Sequence, residues 1–247
     1  MRTVTITRDR LGRGPLILVN RSHPLRPAPP PECVPVDSRC PAVALEKQAA
    51  ALLSACIQSL NGGAQIVPVS GWRSAEEQRR IWDETLHQEG EAFTAQYVAY
   101  PGCSEHQTGL AVDLGRAAPH IDFLRPDFPY HGIWGRFRAA SVKYGFIERY
   151  QAHQTHLTGI AAEPWHFRYV GAPHAALMTE QGLCLEEYSG FLAQTPRRCV
   201  LDNGRAVEVR YVPCMGQETE ISLPEEGCCQ ISGDNASGFV VTVWEAG

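Results

Sequence analysis

Four side chains with the chemistry of a metal-dependent hydrolase occur in two short segments of this sequence. His106 and Asp113 stand seven residues apart, and Glu163 and His166 stand three residues apart further along the chain. Two imidazoles and one carboxylate can hold a zinc ion by three protein ligands and leave its fourth position open, as in catalytic rather than structural zinc sites. His106, Asp113 and His166 are therefore the candidate metal ligands.

Two further charged residues could complete a hydrolytic site. Glu163 could take a proton from a water molecule. Arg73 is predicted at a corner between a strand and a helix, where its guanidinium could stabilise an oxyanion. Each also has a plainer interpretation: Glu163 could pair with Arg168, and Arg73 could form a salt bridge with Glu77. The combination with the three candidate ligands favours catalytic roles for both.

The spacing of these residues requires two bends in the chain. In one unbroken strand, His106 and Asp113 would point to opposite faces. They can share a metal if the chain turns at Gly109, which adopts positive φ readily. In the same way, Glu163 would fall on the opposite face of the strand from His166 unless Pro164 interrupts the pleat. We therefore expect a bend in each segment.

The remaining pattern predicts the elements that hold these segments. The proline-rich stretch 24–41 is expected to be an ordered surface strap, because proline is excluded from helix interiors and inner strands. Apolar spacing and a Ser74–Glu77 capping box predict further elements. These are helices over 42–60, 75–89, 133–144 and 175–193 (with a break at Gly182), and strands over 1–8, 66–69, 110–114, 165–170 and 238–244. The aromatic, proline-containing residues 125–132 are expected to be a loop at the mouth of the site.

Composition limits the classes of protein that fit. The chain has 247 residues, 44% of them hydrophobic, which is enough for one full core. A formal charge of −5 argues against binding to a phosphate backbone. There is no apolar run of membrane-spanning length and no signal-peptide block at the N-terminus, so a cytoplasmic location is expected. The nine cysteines lack a Cys-x-x-Cys pair and are expected to be free thiols.

The sequence pattern changes after residue 195, from helical spacing to alternating, strand-like segments. Residues 200–209 contain Asn203-Gly204 between alternating segments, which predicts a hairpin. We therefore divide the chain into a hydrolase domain over 1–195 and a small β appendage over 196–247 without chemistry of its own. Five other histidines lack a carboxylate at matching spacing and are expected on the surface or in loops: His120, His131, His153, His156 and His174.

Three motifs in order resemble those of the VanY/VanX family of zinc D-alanyl-D-alanine carboxypeptidases and dipeptidases. They are residues 70–74 (SGWRS) followed by Gln78, residues 104–113 (SEHQTGLAVD) and residues 163–168 (EPWHFR). The resemblance covers about residues 16–188 and is closest to the soluble bifunctional VanXY type. One departure is Trp72, where the family often has tyrosine; we expect it to keep an aromatic wall.

The resemblance implies a fold, a cofactor and residue roles. The fold would be α+β, with a small antiparallel sheet that carries the zinc and is flanked by helices. His106, Asp113 and His166 would bind Zn²⁺. Glu163 would act as general base and then acid, and Arg73 would steady the oxyanion. Three more residues would contact the substrate: Gln78, Ser104 and Trp165. A homodimer is also expected from the resemblance.

Several alternatives remain open from the sequence. The protein could be an L,D-carboxypeptidase or an L-alanyl-D-glutamate endopeptidase acting on peptidoglycan, or a non-catalytic binding module of related fold. The balance between dipeptidase and carboxypeptidase activity is expected to depend on how residues 126–132 shape the pocket. Discrimination against ends in D-Ala-D-Ser or D-Ala-D-lactate is also left open.

Overall fold

The computed structural model describes residues 1–201 and 204–245, and its helices and antiparallel strands confirm the α+β class. The helices are Lys47–Ser59 (α1), Ala75–Glu89 (α2), Glu91–Tyr97 (α3), Gly132–Ser141 (α4), Thr155–Thr158 (α5), Ala172–Gln181 (α6) and Leu185–Gln194 (α7). The strands are Arg2–Thr7 (β1), Cys33–Pro35 (β2), Ala44–Glu46 (β3), Ile66–Ser70 (β4), Ala111–Arg116 (β5), Phe146–Tyr150 (β6), Glu163–Tyr169 (β7), Arg197–Val200 (β8), Ala206–Pro213 (β9), Glu218–Leu223 (β10), Cys228–Gly233 (β11) and Gly238–Trp244 (β12).

A four-stranded antiparallel sheet in the order β4-β5-β7-β6 carries the candidate ligands. Its register sets Asp113 on β5 opposite Ser70 on one side and His166 on the other. Val112 and Phe167 on this sheet belong to a buried core shared with Leu53 of α1 and Phe137 of α4. One face of the sheet is therefore anchored against helices.

The apolar spacing predicted that helix α1 begins at Ala42, but the helix begins at Lys47. The preceding residues Ala44–Glu46 pair as β3 with β2. The side chain of Glu46 then accepts hydrogen bonds from the backbone N–H groups of Gln48 and Ala49, which caps the helix. The expected end is confirmed, since Asn61 has φ 53° directly after the last turn.

The other predicted elements of the first 195 residues are largely confirmed. The Ser74 hydroxyl accepts from the Glu77 N–H at the start of α2. The predicted helix 133–144 is α4 followed by a 3-10 turn over 142–144. The helix predicted over 175–193 is α6 and α7, separated at Gly182. The strap over 24–41 is irregular apart from the short strand β2.

His174 corrects the expectation that the five unmatched histidines lie on the surface or in loops. It lies in α6 and is 1% exposed. Its Nδ1 is 2.9 Å from the hydroxyl of Tyr188 on α7, and its Nε2 is 3.0 Å from the hydroxyl of Thr242 on β12. Burial lowers the pKa of His174 to about 3, so the ring is a neutral structural link.

Residues after 195 form the expected β structure. Strands β8, β9 and β12 join β11 in an antiparallel sheet, and β10 pairs with β1. The predicted hairpin is β8 and β9; its turn residues Asp202 and Asn203 lie outside the described residues. Val207 and Val240 share a buried cluster with Leu185 of α7 and Val170. The proposed boundary at residue 195 stays a prediction.

Two further expectations concern the whole chain. All nine cysteines are free thiols in the described structure, as predicted. Among the described helices, none is both long enough and apolar enough to cross a membrane.

Candidate metal and hydrolytic site

The three candidate ligands converge at one buried point. One donor atom each from His106, Asp113 and His166 lies within 4.8 Å of the others. Asp113 Oδ2 is 3.2 Å from His106 Nε2, and Asp113 Oδ1 is 2.9 Å from His166 Nδ1. The structure therefore brings together the residues that the spacing pointed to.

The bend expected at Gly109 is present and brings His106 to Asp113. His106 lies in a 3-10 turn over Glu105–Thr108, and Gly109 follows with φ 72° before β5 begins. A Cβ at Gly109 would lie 3.0 Å from both the Cys33 sulfur and the Glu46 nitrogen. Both the backbone angle and the close approach therefore require glycine.

The interruption expected near Pro164 is also present. In the register of β6 with β7, Phe167 lies opposite Glu148, and Glu163 lies opposite Tyr150. Between these two pairs β7 advances four residues (163 to 167) and β6 only two (148 to 150), so β7 contains an irregularity. This irregularity places a carboxylate oxygen of Glu163 3.7 Å from His166 Nδ1. Glu163 therefore reaches the candidate ligands despite the strand alternation.

The outward nitrogen of each histidine has a partner that orients the ring. His106 Nδ1 is 2.8 Å from the carbonyl oxygen of Gly71. A Cβ at Gly71 would lie 2.4 Å from the Ala44 oxygen, so glycine is needed for this close approach. His166 Nε2 is 3.5 Å from Glu105 Oε2. Such outer partners are typical of metal-binding histidines, and the inward donor set of two nitrogens and one carboxylate fits zinc.

The charge states of His106 and Asp113 suit metal binding. Burial, assisted by the Arg73 charge, lowers the pKa of His106 to about 4, which leaves its imidazole neutral at neutral pH. Burial opposes ionisation of Asp113, but His106 and His166 outweigh it and hold the pKa of this carboxyl well below its usual range. The site therefore offers an ionised carboxylate beside a neutral imidazole.

Glu163 has a proton affinity unusual for a carboxyl group. Burial raises its pKa to about 8, with His166 and Arg73 acting in the opposite sense and Asp113 adding to the rise. The alternative pairing with Arg168 is wrong, because Arg168 forms its ion pair with Glu105 at 2.9 Å. A carboxyl with a pKa near neutrality is suited to general acid–base chemistry.

Arg73 points into the same site from the corner between β4 and α2. Its guanidinium contacts Ser70 Oγ at 3.2 Å, Gln78 Oε1 at 3.1 Å and Asp113 Oδ2 at 3.4 Å. The alternative salt bridge to Glu77 is wrong, because Arg73 forms its ion pair with Asp113. The side chain is buried and fixed, as an oxyanion-stabilising group must be.

One cavity gathers all eight residues proposed from the sequence. Its walls include Arg73, Gln78, Ser104, His106, Asp113, Glu163, Trp165 and His166. The Gln78 amide also donates to the Ala99 carbonyl at 2.7 Å, which holds its oxygen toward Arg73. The cavity therefore combines a candidate metal site, an acid–base group and a guanidinium, while the individual roles stay predictions.

Residues 42–172 match the family described as VanY: D-alanyl-D-alanine carboxypeptidase. A curated relative, the bifunctional D-Ala-D-Ala dipeptidase and carboxypeptidase VanXYC of Enterococcus gallinarum, is 40% identical over 185 residues, covering 74% of this chain and 97% of the relative. The chain belongs to the VanY family.

Two solved structures place this VanY family chain among its neighbours. The D,D-dipeptidase VanXYg, solved in complex with a D-Ala-D-Ala phosphinate analog, is 44% identical, with a TM-score of 0.96 and 99% coverage of both chains. A mutant of the D,D-pentapeptidase VanY from the VanB-type resistance cassette, solved with Zn(II), is 32% identical with a TM-score of 0.60, covering 70% of this chain and 98% of that one. The expected resemblance to the VanY/VanX family is confirmed, and it includes members of the VanXY type.

Two expectations about the walls of the site are corrected in this VanY family structure. The loop that borders the cavity contributes Phe123 and Leu124 rather than residues 126–132. Phe128 turns into the core, where it is 2% exposed and packs against Phe137. Trp72 lines a neighbouring pocket beside the strap and is not part of the site wall.

The sequence reasoning missed a layer of residues behind His166. The ring of Tyr150 packs against that of His166, with centroids 4.9 Å apart and planes inclined by 39°. Glu105 forms ion pairs with Arg149 and Arg168, all three with fully buried side chains. Glu105 lies in the motif 104–113 and Arg168 in the motif 163–168, and this position in the motifs was the one sequence signal that they belong to the site. Their contacts span 44 and 63 positions along the chain (105 to 149 and 105 to 168), so no local pattern revealed them.

The affinity of the candidate site for a divalent metal such as zinc is expected to rise with pH. Burial opposes protonation of His166, but hydrogen bonds to Asp113 and Glu105 outweigh it and raise the pKa of this ring to about 9. The ring therefore holds a proton at neutral pH that a metal bound through His166 would displace. We expect the affinity to increase by up to about tenfold per pH unit below that pKa and then to level off. Chelator-competition titrations at several pH values test this, and an affinity that is flat from about pH 6 to 8 would contradict it.

Proposed function

We propose that this protein uses zinc to hydrolyse the amide bond between two D-alanine residues. Its substrates would be the free dipeptide D-Ala-D-Ala, peptidoglycan pentapeptide precursors that end in D-Ala-D-Ala, or both, as in vancomycin resistance. The observation that carries the proposal is the single buried cavity in which the trio His106, Asp113 and His166 meets Glu163 and Arg73. Membership of the VanY family supports the choice of substrate.

The trio would hold the zinc through His106 Nε2, His166 Nδ1 and the Asp113 carboxylate. When bound, zinc supplies a Lewis acid that polarises a carbonyl and lowers the pKa of water. Among the solved relatives, the VanY mutant with Zn(II) supports this choice of metal.

Glu163 would act first as the general base and then as the general acid of the reaction. In its ionised form it takes a proton from the attacking water, whose oxygen forms a bond to the carbonyl carbon. When the C–N bond breaks, Glu163 returns that proton to the leaving amine. A pKa near neutrality, caused by burial, lets one carboxyl perform both transfers.

Arg73 would stabilise the negative charge that develops on the carbonyl oxygen. Its contact with Asp113 places the guanidinium next to the candidate ligands. Gln78 and Ser104 would hold the carboxylate end of the substrate, and Trp165 would form an apolar wall. A second cavity shares wall residues with the first, namely Val98, Ala99, Tyr150 and Ile160, and would take the rest of a longer peptide.

Removing the planar guanidinium of Arg73 is expected to slow the chemical step. We expect Arg73→Lys to lower kcat on D-Ala-D-Ala by about 10²- to 10³-fold, because an oxyanion donor acts mainly in the transition state. Steady-state amine release measures the effect. Glu77→Gln is the matched control, since Glu77 was the competing partner and should leave the rate unchanged. Equal rates for Arg73→Lys and the wild type would exclude the role.

A comparison of substrates tests the proposed function. Release of D-alanine is measured from free D-Ala-D-Ala, from muramyl pentapeptide, and from muramyl tetrapeptide, which lacks the second D-Ala. We expect release from one or both of the first two and none from the tetrapeptide. Release from the tetrapeptide alone would instead identify an L,D-carboxypeptidase. Cleavage of intact peptidoglycan without D-alanine release would identify an endopeptidase.

A homodimer and a cytoplasmic location stay predictions.

A further inference from the structure

Glu105 contacts the candidate ligand that lies far from it in the sequence. It directly precedes His106, but its Oε2 faces Nε2 of His166 at 3.5 Å. The other ring nitrogen of His166, Nδ1, faces Asp113 and Glu163 at 2.9 and 3.7 Å. Nδ1 is therefore the nitrogen available to a metal, and Nε2 is turned toward Glu105.

Two buried arginines fix the position of the Glu105 carboxylate. Its Oε1 accepts a hydrogen bond from Arg149 Nε at 2.8 Å and pairs with Arg168 Nη1 at 2.9 Å. Arg149 in turn donates to both oxygens of Glu186 at 2.9 and 2.7 Å. Arg168 is held by the carbonyl oxygens of Pro15 and Ile17. Oε1 thus carries the arginine contacts, while Oε2 is directed at the histidine.

The charges in this cluster balance without His166. Two guanidinium groups, of Arg149 and Arg168, face two carboxylates, of Glu105 and Glu186. The side chains of both arginines and of Glu105 have no exposed area, so each charge needs its partners. A purely structural role would be served by Oε1 alone. The separate contact through Oε2 is the observation that points to a second role.

We propose that Glu105 is a positioning residue for His166. It accepts a hydrogen bond from the Nε2–H group, which selects the tautomer whose Nδ1 lone pair points at the metal, and its negative charge makes that nitrogen a better donor. Arg149 and Arg168 hold the carboxylate in place for this contact. The inference rests on the zinc site in the proposed function, which it deepens by naming what orients one ligand.

Replacing Glu105 by glutamine discriminates between the two roles. The amide oxygen of glutamine would be drawn to the arginines, which leaves its NH₂ group facing Nε2. That arrangement favours the tautomer with the proton on Nδ1, where it blocks the metal. Glu105→Asp keeps the charge but withdraws the carboxylate by about one C–C bond length. It therefore serves as a second variant that preserves the charge balance if the glutamine variant does not fold.

The matched control is Glu186→Gln. It also removes one carboxylate from Arg149 and so changes the net charge of the cluster by the same amount, but Glu186 does not contact His166 in the described structure. Zinc dissociation constants are measured by competition with a chromophoric chelator. The absorption spectrum of the Co²⁺-loaded protein reports the ligand geometry, and thermal unfolding of the metal-free protein reports folding.

We expect Glu105→Gln and Glu105→Asp to weaken zinc binding by about 10- to 100-fold and to alter the Co²⁺ spectrum. Glu186→Gln should bind zinc within about threefold of the wild type, whatever its thermal stability, because the histidine contact remains. Folded Glu105 variants with wild-type zinc affinity and spectrum would overturn the positioning role, as would an equal loss of affinity in Glu186→Gln. A wild type that binds zinc but cleaves no D-Ala-D-Ala would instead overturn the proposed function alone.

Discussion

Replacing Glu163 by glutamine is expected to lower kcat on D-Ala-D-Ala by about 10²- to 10⁴-fold while zinc remains bound. The substitution keeps the size of the side chain and removes its ability to accept a proton. Glu163 lies beside His166 at 3.7 Å, outside the trio of candidate ligands, so the metal should stay in place. Stopped-time assays of amine release, combined with elemental analysis of the same sample, separate the two effects.

The control for this experiment is Glu84→Gln, which changes an exposed carboxylate that pairs with Arg80 on α2. It should keep the wild-type rate. Near-normal turnover by Glu163→Gln with a full complement of zinc would remove Glu163 from the mechanism. Loss of zinc together with activity would instead identify Glu163 as a ligand.

Replacing His166 by alanine is expected to abolish activity through a different cause, the loss of the metal. His166 supplies one of the three protein donors that meet within the described residues, and we expect the remaining pair, His106 and Asp113, to lose zinc on dialysis. We expect zinc to fall from about one ion per chain to a small fraction of that value, with D-alanine release falling in parallel. Elemental analysis after dialysis provides the measurement.

His153→Ala is the matched control, because His153 is exposed and lies outside the cavity. It should retain both zinc and activity. If His166→Ala kept a full zinc content, the metal would have to be bound elsewhere in the chain. The contrast between Glu163→Gln and His166→Ala therefore separates catalysis from metal binding.

The candidate ligands could be predicted from the sequence because their constraints are local. The types and spacing of His106 and Asp113 required a bend, and Gly109 was the residue able to make it. Pro164 marked the corresponding irregularity before His166. What local spacing could not give was the register that sets Asp113 opposite His166, since that pairing joins strands 53 residues apart.

The features that were missed depend on contacts across long stretches of the chain. Glu105 reads locally as a polar residue at the start of a turn, and its buried arginine partners come from β6 and β7. His174 is buried because hydroxyl groups 14 and 68 residues away satisfy both of its ring nitrogens. The start of α1 was misplaced because the pairing of Ala44–Glu46 with β2 overrides a helical pattern.

The most direct test of the account is a zinc titration of the metal-free protein with D-alanine release from D-Ala-D-Ala as the readout. The protein is stripped with a chelator, dialysed and given increasing zinc. We expect no activity without metal, a linear rise with added zinc, and a plateau at about one ion per chain, since residues 1–201 and 204–245 bring together one set of three candidate ligands. Full activity of the stripped protein, or zinc binding at this stoichiometry without any D-alanine release, would contradict the account.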